Sequence, residues 1–451
     1  MSAADKPWSA GRRVAVVGGG WAGCAAAVAL LDAGADVTLF EAARTLGGRA
    51  RAIETSGRLL DNGQHIMLGA YADTLRLMRR VGVDPDKALL RLPLQMRYPK
   101  LDAGMDFVAP RLPAPLHMLV ALLRARGLDR ADKLALARFT TSARWMGWQL
   151  YTDCSVAELL ARFDQTERLI RLMWRPLCLA ALNTPPERAS AQVFLAVLRD
   201  SLGAKRAASD MLIPRVLLDA LFPEAARRHL EGRGALVRTG CRIDALEPVD
   251  GAWHLHAGTG IHPFDAVVLA APPWQAAALL RPLIGAAAIV AQLDALAYEP
   301  IATVYLQYET GTRLPLPFCA LVDAPADNRW GQFVFDRGQL DPGQDGLLAV
   351  VISGADPAGA IGQDALAAAL AAQLAAAFGQ PALAAPLWTR AITEKRATFA
   401  CTPGLDRPAN AARLPGLALA GDYTACDYPA TLEAAVRSGV AASGVITGEK
   451  R

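Results

Sequence analysis

The chain has 451 residues, 53% apolar and 20% charged, with a net charge of +4 and a pI near 8.7. That length and apolar fraction suit a folded protein of two or three domains and exclude a disordered chain. The charge is too small and too diffuse for nucleic-acid binding, but it is compatible with an anionic membrane surface.

Residues 14–17 are a β-branched, uncharged run, expected as a buried parallel strand. Gly18, Gly20 and Gly23 follow in G-x-G-x-x-G spacing. The first allows the tight turn, the second lets backbone approach a pyrophosphate, and the third lets the next helix pack on the strand. An alanine- and leucine-rich helix is expected over 22–33, ended by Gly34. Residues 37–40 are the second strand. Glu41, at its carboxyl end, is placed to accept hydrogen bonds from both ribose hydroxyls of an adenosine. Residues 14–31 carry no charge, but three adjacent glycines and the bounded strand-turn-helix pattern argue against a membrane span. Gly47-Gly48-Arg49 then puts exposed backbone and a guanidinium beside the phosphates.

Residues 59–65 read as a strand ending in a polar turn, and 71–81 as an amphipathic helix stopped by Gly82. From about Leu90 to Gly203 prolines cluster at 93, 99, 110, 113 and 115. Helices are expected over 114–126, 130–150, 155–162, 166–180 and 189–202, a mostly helical insert. The apolar stretch 115–123, with Arg124 and Arg126 after it, reads more readily as a core helix than as one dipping into a membrane interface. A β pattern returns at 236–243, 253–256 and 266–270, a meander that feeds a strand back into the nucleotide-binding sheet. Residues 303–308, 332–335 and 347–352 read as strands of an antiparallel sheet, and 364–378 as a helix. Residues 417–420 are a buried strand ending in Gly421-Asp422, and a helix starts after Pro429. Asp422 can bond a ribityl hydroxyl. The N–H groups of Thr431 and Leu432 can face a flavin's pyrimidine edge.

Seven scattered cysteines, none in C-x-x-C spacing, argue for free thiols in a reducing compartment and against a metal or disulfide framework. Residues 1–10 lack the apolar stretch of a secretory signal. The expected location is cytoplasmic, with peripheral contact at the inner face of the cell membrane allowed by the charge.

Together these residues resemble the FAD-dependent amine oxidase/phytoene desaturase superfamily, and within it the hydroxysqualene dehydroxylases. The likeness rests on residues 16–23, 46–49, 60–71, 176–186, 191–202, 396–404 and 421–439, which span nearly the whole chain. The Asp-Asn-Gly-Gln-His stretch at 61–65 and the Leu-Asn-Thr-Pro-Pro stretch at 182–186 are the narrower signals. Cys24 and Ala434 depart from a pattern that expects Leu and Gly. The resemblance implies an α/β fold: a Rossmann-like FAD-binding domain of the glutathione-reductase type, with an α+β substrate domain formed by insertions. Residues 10–90, 204–292 and 393–451 would make the first, and 91–203 and 293–392 the second. It implies FAD contacts at Gly18, Gly20, Gly23, Glu41, Gly48, Arg49, Gln64, His65, Asp422, Thr431 and Leu432, and at Ile243 through its backbone. No Ser-Gly-Gly-Cys stretch is present, so the FAD is expected to be non-covalent.

The resemblance further implies reductive removal of an allylic hydroxyl from hydroxysqualene, giving squalene and water in hopanoid synthesis. A dry tunnel must hold the long-chain isoprenoid, and an acid must help the hydroxyl leave. The candidates are His65, then Asp427 and Tyr423. Trp145, Trp148 and Trp174 are candidates to face an allylic cation, or core residues. One dinucleotide fingerprint leaves no separate NADPH site, so the reductant is external or NAD(P)H binding transiently. An upstream isoprenoid synthase is a further expected partner. Two rival readings share the cofactor. One is oxidative, a carotenoid or squalene desaturase or an amine oxidase. The other is non-redox, a flavoprotein isomerase or an inactive flavin-binding partner.

Overall fold

The computed structural model describes residues 10–101 and 103–448. β1 (Arg13–Val17) runs into α1 (Trp21–Asp32) and β2 (Asp36–Glu41). The insert includes α2 (Leu116–Arg124), α3 (Arg130–Trp145), α4 (Arg175–Leu182) and α5 (Ala191–Ser201). There follow β3 (Leu236–Thr239), β4 (Ala266–Leu269), β5 (Tyr298–Gln307), β6 (Phe318–Ala320) and β7 (Phe333–Asp336). Then come β8 (Leu347–Ser353), β9 (Trp388–Phe399), β10 (Leu417–Leu419) and α6 (Leu432–Thr447).

One sheet is parallel throughout, in the order β3-β2-β1-β4-β10. Successive side chains of β1 point to opposite faces. Val14 and Val16 pack with α1 and α6, while Ala15 and Val17 belong to the core shared with the insert. The chain leaves β1 toward β2 on one side and comes back to β4 on the other. Such a reversal opens a crevice at the carboxyl ends of the strands. α1 is apolar all round, with ten of its twelve residues buried, as a helix covered on both sides must be. Its small side chains let α6 reach backbone contact. A Cβ on Gly439 would lie 2.2 Å from the Ala22 carbonyl oxygen.

A three-stranded meander (Ala245–Val249, Ala252–Ala257, Gly260–Phe264) stands between β3 and β4. β3 stops at Thr239 because Gly240 turns the chain with φ +66°, so residues 241–243 are loop and not the expected strand. The second large sheet is antiparallel, in the order β6-β7-β8-β5-β9. Val304 and Leu306 of β5 face the helix Gln363–Phe378, while Tyr305 faces the core of the insert. β9 is a strand the sequence pattern hides. Arg390, Glu394, Lys395 and Arg396 interrupt its apolar alternation, as suits an edge strand.

Three helices differ from expectation. α3 ends before residue 150, because Gly147 and Trp148 take left-handed backbone (φ +63° and +60°). The helix expected over 166–180 is broken by a π-helical turn at Ile170–Trp174 that passes into α4. Pro176 has no N–H for the Leu172 carbonyl, and the buried Tyr98 hydroxyl donates to that oxygen instead (2.9 Å). α2 is not the expected core helix. His117 and Ala121 are buried, but Leu116, Leu119 and Leu123 are 49%, 52% and 66% exposed. Trp145 reaches solvent, while Trp148 and Trp174 are buried. Among the described residues, no helix is long and apolar enough to cross a membrane, and no cluster of side chains could hold a metal ion.

Candidate active site

Four turns converge at the carboxyl edge of the parallel sheet. Gly18 has φ +111°, and a Cβ there would lie 2.5 Å from the Ala270 carbonyl oxygen after β4. On Gly23 a Cβ would lie 1.8 Å from the Gly18 carbonyl oxygen. These two glycines let protein pack on protein. Gly20 differs: its Cβ would meet nothing nearer than Gly48 Cα, at 3.9 Å, and both residues line an open cavity. The Gly47 N–H donates to the Gly19 carbonyl (2.8 Å), while Arg51 and Asn62 donate to the carbonyls of Gly48 and Arg49 (2.7 and 3.1 Å). The loop is thereby fixed beside the start of α1. A helix start carries unpaired N–H groups and partial positive charge, which suit a diphosphate. Glu41 accepts from the Gly19 and Ala43 N–H groups (2.6 and 2.7 Å), one on each oxygen. Its carboxylate is held in orientation, and each oxygen keeps a lone pair for a ribose hydroxyl. Ile243 lines the cavity at the same end.

The other end of this cradle is built by the turn between β10 and α6. Arg49 donates to Asp422 Oδ1 (2.6 Å) and to the Ala397 carbonyl (2.7 Å). The pair ties the glycine loop to the β10–α6 turn, and Arg49 also lines the cavity with N–H groups to spare. Asp422 Oδ2 has no partner among the described residues and faces the same cavity as Thr431 and Leu432. The Thr431 hydroxyl caps α6 by accepting from the Ala434 N–H (3.1 Å). The other first-turn N–H groups have no partner within the helix. An open glycine cradle, a fixed carboxylate and a helix start at the far end together fit a dinucleotide whose second ring gains negative charge, as FAD does on reduction.

Gln64 lines the cavity with its side-chain amide already committed. Nε2 donates to the Tyr305 hydroxyl (2.9 Å), Oε1 accepts from Arg337 (3.1 Å), and Tyr305 donates to the Asp61 carbonyl (2.8 Å). The Asp61 carboxylate accepts from the Leu218 N–H (2.8 Å), and burial pushes its pKa up to about 6. The folded chain therefore holds this proton to higher pH than the unfolded chain does. The stability it contributes is present below about pH 4 and lost as pH rises through about 6, up to roughly 3 kcal/mol. Asp61→Asn keeps an acceptor for Leu218. It is expected to raise stability at pH 7.5 by about 1–2 kcal/mol and to flatten the fall between about pH 4 and 6. Urea unfolding across that range measures both.

Past His65 the cavity opens among Met118, Leu136, Met173, Leu177, Phe333 and Phe335. Its volume, about 1140 Å³, exceeds the roughly 300–1,000 Å³ of a pocket for one small ligand. There is room for a dinucleotide and an apolar chain end to end. Trp174 edges the chamber, its Nε1 donating to Gln165 Oε1 (2.9 Å).

The three expected acids fare differently. His65 lines the cavity, with Nδ1 3.1 Å from the Gly63 carbonyl oxygen. A carbonyl only accepts, so Nδ1 carries the proton and Nε2 a lone pair. Burial, with Arg49 adding to it, pushes the His65 pKa down. The ring is neutral at pH 7 and offers an acceptor. Tyr423 is buried, and its hydroxyl donates to the Ala271 carbonyl (3.3 Å). Asp427 does not join the site: its side chain is 70% exposed and pairs with Arg199 (3.4 Å) at the surface. Its neighbour Tyr428 does face the cavity, and its hydroxyl donates to Asp200 Oδ2 (2.6 Å). Arg199 holds both oxygens of Asp200, Nε donating to Oδ1 (2.6 Å) and Nη2 to Oδ2 (3.2 Å). Burial opposes the Asp200 charge, but the hydrogen bonds from Arg199 and Tyr428 prevail and hold its pKa below the usual carboxylate range. Burial and Asp200 together keep the Tyr428 phenol protonated. Sequence reasoning missed this pair, although Asp200 lies in the 191–202 stretch that carries the resemblance.

The model of the flavin-containing amine oxidoreductase family matches residues 21–447. The chain is 31% identical to hydroxysqualene dehydroxylase of Rhodopseudomonas palustris, over 98% of this chain and 99% of that one. It is 29% identical to the Sinorhizobium fredii protein of that name (97% and 99%). It is 25% identical to zeta-carotene desaturase of Synechocystis (97% and 98%). Among solved structures, cyclohexylamine oxidase from Brevibacterium oxydans shares the fold with a TM-score of 0.69 at 20% identity, covering 97% and 99% of the two chains. An oxidoreductase from Methanosarcina mazei does so with a TM-score of 0.73 at 16% identity (95% and 99%). With its glycine cradle, fixed Glu41 and capped α6, the chain belongs to the flavin-containing amine oxidoreductase family and is an FAD-dependent oxidoreductase.

Proposed function

We propose that this oxidoreductase reductively removes the allylic hydroxyl of hydroxysqualene, giving squalene and water. The observation that carries this reading is a single cavity whose walls include both an apolar group, Met118, Leu136, Met173, Leu177, Phe333 and Phe335 among it, and a polar post, the hydrogen-bonded Asp200–Tyr428 pair. A hydroxylated isoprenoid has a group for that post. A carotene, a pure hydrocarbon, has none, and the likeness to the carotene desaturase is the weaker one. In this reading residues 10–90, 204–292 and 393–451 bind FAD without a covalent link, and 91–203 and 293–392 bind the isoprenoid. The reductant is an external donor or NAD(P)H acting transiently, and an upstream isoprenoid synthase delivers the substrate.

Reduced FAD supplies the hydride equivalent. Glu41, Asp422 and the N-terminus of α6 would hold it, and His65 Nε2 would offer an acceptor from the wall of the same cavity. The apolar wall excludes water from the carbon that loses its oxygen. Tyr428 Oη, which burial and Asp200 keep protonated, gives the departing oxygen its proton, since hydroxide is a poor leaving group. Arg199 lies against Asp200 to offset the negative charge left on the pair.

Anaerobic incubation of the reduced holoenzyme with hydroxysqualene is expected to yield squalene, with one flavin oxidised per squalene formed. Intact hydroxysqualene, together with new double bonds in squalene under oxygen, would overturn the reading in favour of a desaturase. Conversion without flavin oxidation would favour an isomerase.

A further inference from the structure

We propose that α2 docks on a bilayer bearing anionic headgroups and brings the substrate chamber to the membrane surface. Leu116, Leu119 and Leu123 stand at three- and four-residue spacing on one face of α2, and all three are exposed. Met118, on the other side of the helix, lines the chamber. One helix, about 10 Å across, thus separates the chamber from the exposed leucines. Lys133 Nζ donates to the Leu123 carbonyl (3.0 Å), which sets the start of α3 against the end of α2. Leu134, next to it, is 65% exposed. Of the thirteen large apolar side chains left exposed among the described residues, seven lie between 112 and 151, so the feature is concentrated.

The charge has the sign a lipid surface requires. Residues 111–151 hold seven Lys and Arg against two Asp, a net of +5, whereas the entire chain nets +4. Of the two acids, Asp132 is buried and its ion-pair partner is Arg168, from outside this stretch. Exposed leucines flanked by uncompensated cations match acyl chains and phosphates together, the combination of an interfacial helix. A neutral protein face would match the leucines and leave the cations unpaired. The inference deepens the isoprenoid reading by naming the phase that supplies the chain, but lipid binding can be measured without it.

Co-sedimentation of the holoenzyme with vesicles tests it. We expect at least tenfold tighter partition to phosphatidylcholine vesicles carrying roughly a third phosphatidylglycerol than to pure phosphatidylcholine, lost at high salt. Leu119→Ser/Leu123→Ser should weaken partition at least tenfold while leaving FAD content and turnover of detergent-dispersed substrate unchanged. Arg124→Glu/Arg126→Glu should abolish the preference for anionic lipid. Equal partition of wild type and both double variants would overturn the proposal. So would failure to sediment with anionic vesicles, or a vesicle-free dimer that Leu119→Ser/Leu123→Ser dissolves, which would assign the face to a second copy. If lipid binding holds while hydroxysqualene is not converted, the substrate reading fails and this one stands.

Discussion

Gly20→Ala is expected to leave the apoprotein folded and to weaken FAD binding by about 100-fold, roughly 2.7 kcal/mol. The backbone at Gly20 is already extended (φ −71°, ψ −179°), a conformation alanine adopts freely. The nearest protein atom to the new Cβ is Gly48 Cα, at 3.9 Å, an ordinary contact. Nothing in the chain resists the methyl group. What it obstructs is the space beside the start of α1, where a diphosphate must come to within hydrogen-bond distance of backbone N–H groups. Gly23→Ala is the contrasting case. Its Cβ would lie 1.8 Å from the Gly18 carbonyl oxygen, so β1 and α1 must move apart. It should lower the apoprotein's melting temperature and lose FAD as a consequence. Titration of apoprotein with FAD, followed by flavin fluorescence, and melting without FAD separate the two. A Gly20→Ala protein that binds FAD within about threefold of wild type, well under 1.4 kcal/mol, would refute the cradle. A Gly23→Ala apoprotein as stable as wild type would refute the packing role.

This contrast also bears on what the sequence can reveal. β1, α1 and β2 are legible because their signals are local and agree: a β-branched run, three glycines at fixed spacing, a small-residue helix and Glu41. Asp422 and Thr431 come to the same cavity because parallel strands present their carboxyl ends at one edge, whatever their separation along the chain. The Arg49–Asp422 pair, 373 residues apart, has no local signal at all. β9 was hidden by charges that an edge strand tolerates. The break at Ile170–Trp174 depends on Tyr98 reaching the carbonyl that Pro176 leaves free, a contact no window of sequence contains. α2 shows the limit of composition. An apolar helix reads as core, yet its two faces meet a cavity and solvent. Asp427 and Tyr428 show the finest limit. Adjacent in sequence, they point to opposite sides of one turn, and the side facing the cavity belongs to the phenol.

Tyr428→Phe is therefore expected to lower the rate of dehydroxylation by about 100- to 1,000-fold, the range of a lost general acid. The ring stays, so packing and the stacking of Arg437 on it stay too (4.5 Å to the ring centroid). FAD content and affinity for hydroxysqualene should remain within about threefold of wild type, so the loss falls on the chemical step. Asp200→Asn should also slow the reaction, by a smaller factor, because the amide oxygen can still accept from the phenol but the charged Arg199–carboxylate pair that anchors the acceptor is lost. Asp427→Asn should be close to wild type, since that carboxylate meets water. His65→Ala should cost less than Tyr428→Phe, because a neutral imidazole with its proton on Nδ1 has none to give at Nε2. The rate of flavin reoxidation in a single anaerobic turnover reads all four. A Tyr428→Phe enzyme within about threefold of wild type would remove the phenol from the acid role. A His65→Ala loss as large as that expected for Tyr428→Phe would return the role to the imidazole. The order of effects then discriminates between two proton sources that lie in the same cavity. The phenol carries its proton on the cavity wall, whereas the imidazole's proton is held on Nδ1 by the Gly63 carbonyl and its Nε2 bears only a lone pair.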